Sequence, residues 1–274
     1  MKRNLLLLIL IAFSIKLFSQ SVELYGKAIP GSIIIGKGEE IKSVRLDSID
    51  IPFAQEGYFI FGFDRDAKGI HYLTIQLSDK TIIKKFELPK RKYKIQRINR
   101  LKKKYVTLPK SDLERVKKER AISKQAREKI GEINEAFYKV GFMRPIKGGR
   151  ISSVFGSQRI LNGKPKNAHN GTDIAAPKGT PVKAMTDGIV RLSADNFYYA
   201  GNYILLDHGQ GLNSFYLHLS KSFVTEGQYV KKGEIIGKVG TTGRSTGPHL
   251  HWGVQWFDKR VDPLLLLKIK EPFK

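Results

Sequence analysis

Gly243-Arg244-Ser245-Thr246-Gly247-Pro248-His249-Leu250-His251-Trp252 is the stretch on which the reading of this chain turns. On an extended strand, residues two apart share a face, so His249 and His251 project together while Leu250 points away. Paired same-face imidazoles are seldom packing residues. The run Gly240 to Gly247 ahead of them reads as a flexible loop that feeds the strand. Working outward, Ile189–Leu192, Tyr203–Leu206, Ser214–Leu217 and Ile235–Ile236 are short strand-like runs separated by glycine-containing turns. Together they predict an antiparallel β domain over residues 145–274 and a mainly β chain.

Two further motifs lie in this segment, which holds five of the six histidines. His169-Asn170-Gly171-Thr172-Asp173 puts an imidazole and a carboxylate four residues apart across a glycine, and both are good zinc donors. Alone it is a weak signal. Tyr216-Leu217-His218-Leu219 sets a histidine in an apolar strand, which alone would be structural. The chain has no cysteine, so a metal would be held by His, Asp or Glu, and disulfides and thiol nucleophiles are excluded. Three protein ligands and one open position make a catalytic rather than a structural zinc site. His169, Asp173 and one of the paired histidines would supply the three ligands. The other paired histidine and His218 would remain for acid–base work. No HExxH motif is present to provide a glutamate base, a role that a histidine fills.

At this point the sequence resembles the M23 family of zinc metallopeptidases (LytM-type, lysostaphin-like). HNGTD, YLHLS and GRSTGPHLHW match its HxGxD, YxHL and GPHLH motifs in family order. Gly149–Gly156, Asp173–Pro177, Asp207-His208-Gly209 and Val230–Glu234 extend the likeness, which covers about the last 115 residues. The resemblance implies an antiparallel β peptidase domain with a groove and a zinc at its floor. His169, Asp173 and His251 would bind the metal. His218 and His249 would be the catalytic histidines, moving protons and stabilising the oxyanion beside the scissile carbonyl. His208 matches a position outside the metal set and is taken as structural. One departure stands out. Some members carry a tyrosine oxyanion donor shortly before the first ligand, and Gly163–Ala168 contains none. The function implied is a zinc-dependent endopeptidase that hydrolyses peptidoglycan cross-links, with direct links between D-alanine and a diamino acid favoured over glycine bridges. A non-catalytic scaffold of the same fold, binding the wall or activating another hydrolase, is the alternative. A basic envelope-binding protein with incidental zinc is a third reading. All five polar positions are intact, which favours the enzyme.

The rest of the chain supports an envelope setting. The 274 residues carry 49 Lys and Arg against 25 Asp and Glu, a net charge of +24, which calls for a polyanionic partner. Met1-Lys2-Arg3-Asn4 followed by the apolar run Leu5–Phe13 reads as a cleavable export signal over residues 1–20, with an uncleaved anchor as the alternative. Loss of Lys2, Arg3 and Lys16 with that signal would leave +21. Export disfavours nucleic acid and favours a periplasmic or wall-associated protein acting on peptidoglycan stems and cross-bridges. No later run reaches membrane-spanning length, so no transmembrane span is expected in the mature chain. The sequence identifies no protein partner.

Residues 21–108 show short strands spaced about 8–12 residues apart, as in a small β-sandwich-like domain. Lone His71 there is an ordinary strand residue. The basic run Lys84–Lys110, with Lys90-Arg91-Lys92 and Lys102-Lys103-Lys104, reads as a solvated strand edge, or else as a contact for an acidic polymer. Residues 109–144 read as a helical linker. Ser111 and Glu114 predict a capping box, and Leu113, Val116, Ala121, Ile130, Ile133 and Phe137 predict one long helix or two, broken near Gly131.

Overall fold

The structure, a computed structural model, describes residues 22–100 and 106–273. The expected export signal and the Lys102-Lys103-Lys104 run lie outside the described residues. Eight strands come first: β1 (Glu23–Tyr25), β2 (Ile33–Lys37), β3 (Ile41–Leu46), β4 (Ile49–Asp50), β5 (Tyr58–Gly62), β6 (Gly69–Leu77), β7 (Thr81–Leu88) and β8 (Ile95–Ile98). Helix α1 (Leu113–Glu128) follows. Then come β9 (Arg150–Ser153), β10 (Gln158–Leu161), β11 (Lys164–Pro165), β12 (Thr172–Ala175), β13 (Pro181–Lys183) and β14 (Gly188–Phe197). The series ends with β15 (Gly201–Asp207), β16 (Leu212–Ser222), β17 (Tyr229–Val230), β18 (Ile235–Val239), β19 (His249–Trp256), β20 (Lys259–Val261) and helix α2 (Pro263–Leu266).

The N-terminal strands form two antiparallel sheets, β1-β2-β5 and β4-β3-β6-β7, the sandwich that the strand spacing predicts. Their burial differs for a reason visible in the residues. On β6, Leu73, Ile75 and Leu77 are buried while Ile70 and Tyr72 are about half exposed, so one face of that sheet meets water. β5 is buried at every position, because its second face packs on the C-terminal sheet. Gly62 is one point of close approach between the two. A Cβ there would stand 3.1 Å from Trp256 Cβ and 3.3 Å from Val261 Cγ1. The two halves therefore share one continuous apolar core. Polar clamps reinforce the joint: Arg260 meets Asp64 at 2.9 Å, Arg91 meets Asp262, and Gln210 Nε2 donates to Tyr58 O at 2.9 Å. Of the basic run, Lys84 and Lys85 stand on the edge strand β7, whereas Arg91 serves the joint. His71 pairs with Asp47 at 2.7 Å on the sandwich surface.

The connecting segment differs from its sequence reading. Lys110–Asp112 form a 3₁₀ turn with Ser111 inside it, so Ser111 cannot act as an N-cap. The capping box does not form, and Asp112 occupies the cap position with no side-chain bond. A single helix ends at Glu128, and only Val116 and Ala126 of it are buried. Gly131, at φ +101°, lies beyond it in a backbone region that favours glycine. Ile130 is buried, but in a turn, and Phe137–Val140 form a separate 3₁₀ turn.

The C-terminal half is a ten-stranded antiparallel sheet whose main path runs β17-β14-β15-β16-β19-β12-β9. Fully buried Trp252, Trp256 and Tyr216 fill its core. β8 crosses over from the N-terminal half and pairs in parallel with β10, matching Gln96 to Arg159 and Ile98 to Leu161. No helix among the described residues is long and apolar enough to cross a membrane.

Candidate metal centre and active site

The antiparallel register of β12 on β19 sets Asp173 opposite His251 and Ala175 opposite His249. Because alternate residues share a face, Asp173, His249 and His251 all project to one side of this pair. His169 enters from the loop before β12. Its Nε2 lies 3.0 Å from Asp173 Oδ1 and 3.0 Å from His251 Nδ1, and His251 Nδ1 lies 2.7 Å from Asp173 Oδ1. Three ligand atoms thus converge on one point.

Two of the three side chains, His169 and Asp173, are held from behind. His169 Nδ1 shares its N–H between Val154 O and Ser153 Oγ, both at 3.1 Å, which leaves Nε2 as the lone-pair nitrogen. Asp173 Oδ2 accepts from Arg159 Nη2 at 2.8 Å. The far nitrogen of His251 is buried without a partner. Gly171 makes room for it, since a Cβ there would lie 2.8 Å from His251 Nε2 and 2.6 Å from Trp252 O.

His218 reaches the same face by a backbone irregularity. β16 pairs with β19 as far as Leu217, opposite His251, and with β18 from Leu219 onward. His218 is the residue at which the strand changes partners. A regular pleat would send it to the buried side with Tyr216. Its left-handed conformation, φ +64°, turns the ring into the groove instead, 4.7 Å between centroids from His249. His218 Nδ1 donates to Thr242 O and His249 Nδ1 to Gly247 O, each at 2.8 Å. Both rings are thereby fixed in the tautomer that leaves Nε2 basic, and His249 Nε2 stands 4.0 Å from Asp173 Oδ1.

Protonation states follow from burial and contacts. Burial alone would raise the Asp173 carboxyl, but its close contacts with the His169 and His251 rings hold it well below the usual range. Burial brings His251 down to about 4. Burial, then the neighbouring His251 and His249, bring His218 down to about 3. An ionised Asp173 beside a neutral His251 is what a divalent metal requires of those two groups. Two nitrogens and one oxygen within 4.8 Å of one another, with an open fourth side, fit a catalytic zinc ion or a similar cation. His208 stands apart, fully buried between Asp187 O and Ser214 Oγ, each 2.7 Å from a ring nitrogen.

The triad lies at the floor of a cavity of about 1310 Å³. The motifs anticipated the five converging side chains. They did not anticipate Arg159, Ser153, Thr242, Tyr199 and Arg244, nor the wall formed by Gln96, Ile98 and residues 106–108 from the N-terminal half. Arg159 lies just beyond the Gly149–Gly156 stretch, and nothing about a lone arginine in a short strand marks it.

Comparison with known proteins agrees with this geometry. The description "Peptidase family M23" matches residues 167–263. The peptidoglycan DD-endopeptidase ShyA of Vibrio cholerae is 50% identical over 104 residues, 38% of this chain and 24% of that one. The DD-carboxypeptidase/endopeptidase Mpg of Neisseria meningitidis is 42% identical over 127 residues, 46% of this chain and 29% of that one. The chain thus spans about a quarter of the length of these curated relatives. The crystal structure of an M23 peptidase from Pseudomonas aeruginosa superposes with a TM-score of 0.64 at 29% identity, over 89% of this chain and 96% of that one.

Proposed function

Residues 167–263 match peptidase family M23, and on that footing we propose that this chain is a zinc-dependent endopeptidase hydrolysing the peptide cross-links of bacterial peptidoglycan. The observation that carries the reading is the convergence of His169, Asp173 and His251 beside two histidines whose Nε2 atoms are both left basic. His169, Asp173 and His251 would hold the ion, which when bound polarises the scissile carbonyl and makes water nucleophilic near neutral pH. His249 and His218 take the proton from the attacking water and pass it to the departing amine as the C–N bond breaks. The ring that has taken the proton can donate its Nε2–H to the developing oxyanion, a task for which Gly163–Ala168 offers no tyrosine. The endopeptidases among the relatives support peptidoglycan as the substrate, which implies action in the periplasm or wall. Residues 145–274 would form the peptidase unit, with the sandwich of residues 21–108 and the segment 109–144 bracing it.

The test combines metal content with release of muropeptides from purified walls. His251→Ala should lose zinc and activity together. His249→Ala and His218→Ala should retain zinc and lose about 10²–10⁴ in turnover. Full zinc occupancy without release from any wall chemistry would instead support the scaffold reading.

A further inference from the structure

The metal centre has supports that lie outside residues 167–263. Asp173 divides its two oxygens between separate tasks. Oδ1 stands 3.0 Å from His169 Nε2 and 2.7 Å from His251 Nδ1, at the point where the three side chains converge. Oδ2 accepts from Arg159 Nη2 at 2.8 Å. That bond fixes the rotation of the carboxylate, because turning Oδ1 out of the triangle would break it. His169 has a support of the same kind. Its Nδ1–H meets Ser153 Oγ at 3.1 Å, and the Ser153 hydroxyl donates in turn to Gln96 Oε1 at 3.0 Å. With its proton committed to Gln96, the hydroxyl offers lone pairs to His169, which keeps the proton on Nδ1 and leaves Nε2 free for an ion.

Arg159 and Gln96 lie opposite one another in the parallel pairing of β10 with β8, so both supports hang on a contact between the two halves of the chain. Backbone bonds secure that pairing at both ends. Gln158 N–H donates to Lys94 O at 2.8 Å, and Asn162 N–H donates to Ile98 O at 2.9 Å. Just before β8, the Tyr93 hydroxyl donates to Arg65 O at 2.7 Å, and Arg65 Nη2 donates to Gly156 O at 2.7 Å. Gly156 N–H then donates to His169 O at 2.8 Å. The N-terminal half thus reaches the backbone of His169 as well as its ring.

We propose that Arg159 and Gln96 are positioning residues for the metal ligands, so that the N-terminal half, through β8, sets how tightly the C-terminal half holds its ion. This rests on the metal-centre part of the reading above and not on which bond is cut. Gln96 has the lesser role, since Val154 O also accepts from His169 Nδ1, at 3.1 Å. For Arg159, charge alone argues the opposite. A guanidinium repels a nearby divalent cation, so by Coulomb's law its removal should tighten binding. The Arg159 side chain is 26% exposed, which lets water and salt screen that repulsion, whereas its bond to a buried carboxylate acts at contact range. Orientation therefore outweighs repulsion, and the sign of the change in affinity separates the two accounts.

The test is chelator competition for zinc on the full chain, which needs no turnover. Arg159→Met keeps most of the stem without charge or donors and should weaken zinc binding about 10–100-fold, the range for groups that orient a ligand. Arg159→Lys restores a cationic donor and should recover part of the loss. Arg97→Gln removes a charge from an exposed position on β8 and should leave affinity at the wild-type level. Gln96→Leu should weaken binding a few-fold in wild type and have no effect in Ser153→Ala, because it acts through that hydroxyl. This cycle changes no charge, so it decides whether β8 sets affinity even if Arg159→Met does not fold. Unchanged or tighter binding in Arg159→Met, or additive losses from Gln96→Leu and Ser153→Ala, overturns the positioning role of the residue concerned. A wild-type chain that takes up no zinc refutes the metal centre itself and this proposal with it. Zinc uptake without release of muropeptides refutes only the hydrolase reading, and the same affinities still judge Arg159 and Gln96.

Discussion

His208 offers the sharpest physical test of the C-terminal core. It is wholly buried, its Nδ1–H donates to Asp187 O, and its Nε2 accepts from the Ser214 hydroxyl. Burial pulls its pKa down to about 4, against a partial opposing pull from the Asp187 carbonyl and charge. In the unfolded chain the same ring titrates near about 6.5. Between these values the unfolded state binds one proton that the folded state refuses. Above pH 6.5 neither state is protonated here, and stability is unaffected. As pH falls below 6.5, stability drops by up to about 1.4 kcal/mol per unit and levels off near pH 4, about 3 kcal/mol in all. Since His251 and His218 are also depressed, the whole-chain slope is not specific to His208. The difference between wild type and His208→Asn is specific. The variant loses stability at every pH, and its urea-derived slope between pH 6.5 and 4 should be shallower by one proton. Side-chain NMR of the folded chain should show the His208 Cε1 resonance unmoved down to about pH 5. A midpoint near 6.5, or equal slopes for the two proteins, would mean that burial does not govern this ring.

Three other substitutions probe separate parts of the argument. Gly171→Ala drives a methyl into Trp252 O and His251 Nε2 and should weaken zinc binding about 10–100-fold in chelator competition, the range for groups that orient a ligand. Unchanged affinity would show that the ring has slack. Arg191→Leu strips the guanidinium from fully buried Asp207, to which it donates at 3.0 and 2.9 Å, and should cost about 3–5 kcal/mol. Adding Asp207→Asn should recover most of that in urea unfolding, and no recovery would exclude stranded charge as the cause. His218→Gly and His218→Ala should be equally inactive, yet the glycine variant should be as stable as the alanine or more so, by up to about 1.6 kcal/mol. The left-handed backbone costs alanine about 1–2 kcal/mol, and the unfolded-state entropy of glycine returns about 0.4–1 of it.

The site was legible where local periodicity decides geometry. His249 and His251 had to share a face because a strand repeats every two residues, and β19 keeps that pleat. Asp173 joined them because β12 pairs in register with β19, a long-range match that the motif HNGTD carries without displaying. His218 was reached only as a histidine left over from the ligand set and by likeness, since simple alternation buries it with Tyr216 and only the change of strand partner turns it outward. Arg159 and Gln96 were not legible at all. Their position depends on β8 leaving the N-terminal half to pair with β10, and no local pattern encodes a pairing between residues some 60 apart. The linker failed for a different reason. Ile130, Ile133 and Phe137 continue a helical spacing, but Gly131 and the docking of Ile133 O on Gln210 N–H break the backbone before they can use it.

The division of labour between sheet and loop explains why metal binding and turnover should separate under mutation. Asp173 and His251 sit on paired strands, and His169 is locked by Val154 and Ser153, so the proposed ligand set is held by the hydrogen-bonded sheet and its flank. His218 and His249 are oriented instead by the carbonyls of Thr242 and Gly247, both from the segment that also carries Arg244. Thr242 Oγ1 donates to Leu219 O and accepts from Asn202 N–H, which anchors one end of this loop to β15 and β16. A shift of the loop would turn both basic nitrogens together while leaving the ligand triangle intact. Thr242→Ala therefore acts without touching a ligand or either ring. Zinc content should stay at the wild-type level while turnover falls about tenfold or more, the size of loss that loose positioning around a reacting bond produces. Loss of zinc from that variant would show that loop and sheet form a single unit and would remove the distinction.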